Sequence, residues 1–143
     1  MSDAAPLSPI DTEHLRLLSI FHYVVAGFAA FFGCFPLIHV AMGIAMISGA
    51  FPSNPNASPP PPFFGWFFVL LGGFFIVTGW TFAVLLYFAG KRLGQRTHRT
   101  FCLVVAALST LFAPFGTALG VCTLIVLSRP SVKAAFEQPA PPA

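Results

Sequence analysis

Residues 15–51 read LRLLSIFHYVVAGFAAFFGCFPLIHVAMGIAMISGAF, and the only Lys, Arg, Asp or Glu among them is Arg16. As one helix this stretch would run about 55 Å at about 1.5 Å per residue, well beyond a hydrocarbon core of roughly 30 Å. An interruption is therefore expected, and Gly33-Cys34-Phe35-Pro36 is where the residues allow one. Glycine accepts the backbone of a helix end. Pro36 cannot donate to a continuing ladder but can open a new helix. The expectation is a tight hairpin, with span one from Leu15 to Cys34 and span two from Pro36 to Phe51. Span two would bridge only about 23 Å, so a re-entrant 36–51, leaving three spans, is the alternative.

The rest of the chain has the same character. Of 143 residues 57% are apolar, 8% are charged and 18 are Phe, and the mean hydropathy is +0.84. Soluble domains carry roughly 25% charged residues. Seven basic and four acidic side chains cannot screen this much apolar surface from water. Disorder outside the tails is excluded, because it needs low hydrophobicity and high charge. Three unpaired-looking cysteines exclude a disulfide scaffold. An integral membrane protein remains.

Residues 1–14 form a polar tail without the cationic start of a signal peptide, so the first span is expected to be retained. Ser8-Pro9-Ile10-Asp11 has capping-box spacing, with Asp11 or Thr12 as alternative caps. The hairpin 15–51 is followed by a linker at 52–62, PSNPNASPPPP, whose Pro run predicts a stiff polyproline II spacer. A second hairpin occupies 63–128. Its first arm is Phe63–Ala89, with aromatics at both ends as interfacial belts. A basic turn follows at 91–99, and Phe101–Leu127 is the fourth span, kinked at Pro114. Residues 129–143 form the C-terminal tail, with an interfacial helical turn at 131–136 and a disordered end. The expected fold is an all-α membrane bundle of four transmembrane helices in two antiparallel hairpins, with no internal repeat.

Basic residues set the orientation. With four spans, Lys91, Arg92, Arg96 and Arg99 lie on one side and Arg16, Arg129 and Lys133 on the other. The concentrated turn is placed in the cytoplasm, with both termini outside. With three spans the N-terminus moves inside. The turn is a topology anchor on anionic headgroups.

Chemistry is scarce. Asp3, Asp11, Glu13 and Glu137 all fall outside the spans, so carboxylate-coupled transport and intramembrane acid–base catalysis lack their parts. No phosphate-binding loop is present, and no catalytic residue is assigned. His22 and His39 are weak candidates for haem axial ligands. In a hairpin turning at 34–36 their depths differ by more than about 10 Å, so they cannot share one iron unless subunits pair. Their plainer role is a hydrogen-bonded histidine inside the bundle. No cofactor and no metal site is expected, because Cys34, Cys102 and Cys122 are too widely spaced for a metal or redox motif. Small residues at Gly33, Ala41, Ala45, Gly49, Gly116 and Gly120 have the spacing that lets helices approach closely in lipid.

The run HLRLLSIFHYVVAG at 14–27, with CFPLIHVAMGI at 34–44 and PFGTALGVCTLIVLSRPSVKAAF at 114–136, resembles small bacterial four-span inner-membrane proteins of no established activity. GW at 65–66 and 79–80 and the basic turn extend the likeness across most of 14–136. The resemblance implies an inner-membrane location and carries over no catalytic residue. The expected function is a non-enzymatic structural or accessory role through helix packing. Its partners are the bilayer and either further copies or a larger membrane complex, with no nucleic acid. A small oligomeric channel or transporter and a haem- or quinone-binding electron-transfer subunit are the alternatives.

Overall fold

The computed structural model describes residues 7–50 and 61–137, and every element among them is a helix. In chain order these are α1 (Pro9–Gly33), α2 (Leu37–Ile47), α3 (Pro62–Gln95), α4 (Arg99–Ser109), α5 (Phe115–Leu127) and α6 (Pro130–Glu137). Most of the 52–62 linker and the ends of both tails lie outside the described residues. Two stretches, Pro9–Ile47 and Pro62–Gln95, are long and apolar enough to cross a membrane. The chain forms two compact units, unit 1 from Met1–Gly27 with Ala83–Ala143 and unit 2 from Phe28–Phe82.

In unit 2 the break at Gly33–Pro36 does not reverse the chain. Pro36 removes one donor, yet hydrogen bonds carry through it: Leu37 N–H to the Cys34 carbonyl at 3.0 Å, Ile38 N–H to Phe35 at 3.2 Å, and Val40 N–H to Pro36 at 3.1 Å. The end of α1 and all of α2 therefore progress along α3 in one antiparallel run. A Cβ built on Gly33 would lie 3.3 Å from the Trp80 ring. One on Gly72 would lie 3.0 Å from the Pro36 carbonyl, and one on Gly43 2.6 Å from that of Gly65. The hairpin expected at 33–36 is thus corrected to a shallow interruption in a single stretch. Its partner is α3, and α2 ends in a glycine turn. Gly49 takes φ +69°, and Ala50 N–H returns to the Ala45 carbonyl at 3.0 Å, a helix ending that a Cβ would strain.

In unit 1, α1 opens after Ser8, whose hydroxyl accepts the Asp11 N–H at 3.1 Å. Ser8 is the cap among the three candidates. The early part of α1 packs on the late part of α3: Ser19 donates to the Gly90 carbonyl at 2.7 Å, and Tyr23 meets Tyr87 at 5.4 Å.

The expected fourth span is not one helix. After Ser109 the chain turns through Thr110–Pro114, with a cis bond before Pro114, and α5 folds back on α4. A Cβ on Gly116 would lie 2.5 Å from the Ser109 carbonyl, and one on Gly120 would overlap the Ala106 carbonyl. Arg99 closes the open end, donating from Nε at 3.1 Å and Nη2 at 2.7 Å to the Leu127 carbonyl. This corrects the kinked single helix to a reversal. Arg99 and Leu127, expected on opposite faces of a bilayer, are hydrogen-bonded. At 11 and 13 residues the arms measure about 16 and 20 Å, each short of a roughly 30 Å core. α6 leaves α5 at 77°.

The described charges consequently gather at one end of unit 1. Arg16 and Arg96 line one cleft, and Arg92 sits 4.9 Å over the Phe101 ring. Arg129 pairs with Asp11 at 2.8 Å. α3 runs through Lys91 to Gln95, so the turn proper is Arg96–His98, with Arg96 and His98 both left-handed at φ +54° and +53°.

Candidate functional site

Unit 1 carries a groove of about 660 Å³ between α1 and α5. The helical period sets its walls. Leu17, Phe21 and Val25 recur every four residues along one α1 face, and Ala118, Cys122 and Ile125 follow at steps of four and three on one α5 face. Pro114 and Phe115 close one end, and His14 and Arg129 stand at the other.

That polar end is a built cluster. Arg129 Nη1 donates to Asp11 Oδ1 at 2.8 Å and lies 3.2 Å from His14 Nδ1. Ser131 donates to Asp11 Oδ2 at 2.7 Å. The Ser131 hydroxyl, then the Arg129 guanidinium, hold the Asp11 carboxyl below the usual carboxylate range. Asp11 lies in the first turn of α1, ahead of the apolar run that starts at Leu15. Sequence reading missed this cluster, because 118 residues separate Arg129 from Asp11. The available signal was a basic residue directly after a long apolar stretch.

The sequence candidates are dispersed. His22 is fully buried, and a Cβ on Gly90 would lie 3.0 Å from its Cβ. Its Nδ1 is 2.8 Å from the Leu18 carbonyl. A carbonyl only accepts, so Nδ1 carries the proton and Nε2 is left as an acceptor. Nε2 has no hydrogen-bond partner among the described residues. His39 belongs to unit 2, is exposed, and stacks on Phe68 at 6.1 Å. Among the described residues no group of three His, Cys, Asp or Glu is placed to hold a metal.

Of the small residues, Gly33, Gly116 and Gly120 sit at close helix contacts. Ala41 is exposed and Ala45 half-buried, while Gly49 is the helix ending, with open space around it. Gly43, Gly65 and Gly72 form the α2/α3 seam. In the basic segment, Lys91 and Arg96 are exposed and Arg92 half-buried, and Arg99 is engaged with α5.

Comparison with protein-family models, with curated proteins and with solved structures gives no match.

Proposed function

We propose that this is a multi-pass inner-membrane protein with a non-enzymatic, structural or accessory role exercised through helix packing. Its basic end would lie in the cytoplasm. The supporting observation is the surface of unit 2. Its helices touch through a glycine seam and turn Phe31, Phe35, Phe63, Trp66, Phe74 and Trp80 outward. A helix pair this thin has no core of its own, so its aromatic faces need lipid or partner helices. The chain's hydroxyls favour this over a pore lining. Ser109, Thr117 and Thr123 each donate to a backbone carbonyl at 2.7–2.8 Å.

In this reading α1–α2 and α3 are the two crossings, and α4/α5 is a hairpin that enters and leaves on the basic side. All seven Lys and Arg then face the cytoplasm, a stronger bias than the four against three of a four-span chain. Native mass spectrometry of protein gently extracted from its own membrane tests the role. A homo-oligomer or heteromeric complex is expected, and a monodisperse monomer overturns it. Cysteine labelling tests the topology: Gln95→Cys and Lys133→Cys should react from the same side, and Ala50→Cys from the other.

A further inference from the structure

We propose that the α1/α5 groove holds one acyl chain of an anionic phospholipid from the surrounding bilayer, with the lipid phosphate on Arg129. This rests on the membrane reading above and adds to it a site and a ligand class.

The groove walls are apolar and the trough is open along one side, where Phe21 and Ile125 are exposed. From His14 to Val25, α1 rises about 17 Å. That is close to one leaflet, half of a hydrocarbon core roughly 30 Å thick. Polar groups are confined to one end. There Arg129 gives Nη1 to Asp11 and His14. Its Nε and Nη2 make no hydrogen bond among the described residues, and the side chain is 40% exposed. A guanidinium with a free edge offers paired donors matched to phosphate oxygens.

Asp11 does not compete for that edge. Its two oxygens are taken by Arg129 Nη1 and Ser131, which fixes the guanidinium in place. The same end of unit 1 carries seven basic side chains against three acidic ones among the described residues, a field that attracts anionic headgroups. A trough one leaflet deep with a cation at its mouth complements an amphiphile with a negative head. A zwitterionic head would bring its own cation to the Arg129 end.

The test is native mass spectrometry of the full chain released from nanodiscs of equal parts phosphatidylcholine and phosphatidylglycerol. One phosphatidylglycerol per chain is expected to stay bound, favoured over phosphatidylcholine by about tenfold, or about 1.4 kcal/mol. Arg129→Gln should keep a bound lipid and lose the preference. Ala118→Trp fills the groove at an exposed position away from the Asp11 pair, so it tests the site without disturbing that pair, and it should release the lipid. Phosphatidylglycerol retained undiminished by Ala118→Trp overturns the proposal. So does its loss in Lys91→Gln/Arg96→Gln with both groove variants unaffected. Retention is counted per chain, so a monomer that still binds lipid would fail the packing role and leave this site standing.

Discussion

Gly120→Ala probes the reversal between α4 and α5. The added Cβ would overlap the Ala106 carbonyl and lie 2.8 Å from Thr110 Cγ2 and 3.0 Å from Thr110 N. Two of these three atoms are backbone, in α4 and in the residue that ends it, so no rotamer change relieves the overlap and the helices must part. The separation needed is on the order of 1 Å, and a gap of that size forfeits up to about half of each dispersion contact it opens. Overpacking by one methyl costs about 1–3 kcal/mol, and a backbone collision belongs at the upper end. Alanine returns up to about 1 kcal/mol through its better helix propensity. The net expectation is a loss of about 2 kcal/mol. Gly73→Ala is the control: nothing lies within 4 Å of its Cβ, so it should gain about 0.5–1 kcal/mol. Equilibrium unfolding in mixed micelles, followed by far-ultraviolet circular dichroism, reads both. Opposite signs are expected. If Gly120→Ala were as stabilising as Gly73→Ala, the hairpin would be refuted. In one continuous helix residues 106 and 120 stand about 21 Å apart, and the new methyl would meet nothing from Ala106.

Two further outcomes follow from unit 1. The Asp11 carboxyl is held below its ordinary value of 3.8, so the stabilisation it gives is complete above that value and is lost as pH falls through the lower folded value. Thermal unfolding of the parent chain should weaken with acidification below about pH 4, and Asp11→Asn should remove that component and be less stable at neutral pH. His22→Leu removes a buried ring with an unpaired Nε2 and should cost under about 1.5 kcal/mol, because the Leu18 carbonyl that loses the Nδ1 donor keeps the helical N–H of residue 22. A loss above about 3 kcal/mol in the same unfolding assay would show that Nε2 has a partner worth keeping.

The membrane class was legible in the scarcity of charge, and the helix start in Ser8-Pro9. The break at Gly33–Pro36 was legible as a break, but a missing donor does not specify the direction of the chain beyond it. That is set by the glycine seam with α3, a contact between residues far apart in sequence. Pro114 was read as a kink because 101–127 has the length of one span. The overlooked sign was symmetry. Cys102, Ala106 and Ser109 mirror Thr123, Gly120 and Gly116 about residues 112–113, as two arms that must approach closely would require. The Arg129 cluster and the groove were invisible for the same reason, since both depend on that return of α5 toward α1.

The gathering of charge at one end of unit 1 has a bearing on biogenesis. Between Leu17 and Gly90, and again between Thr100 and Ser128, the chain has no Asp, Glu, Lys or Arg. In the proposed topology, with two crossings and a hairpin that returns to its own side, the one segment to be exported is the uncharged connection from α2 to α3. A membrane potential does work of about 2.3 kcal/mol per elementary charge per 100 mV, and here no charge is moved. Insertion of this chain is therefore neither pulled nor opposed by the potential. In that topology, collapsing the proton-motive force should leave its assembly rate unchanged, and the basic end alone would set its orientation.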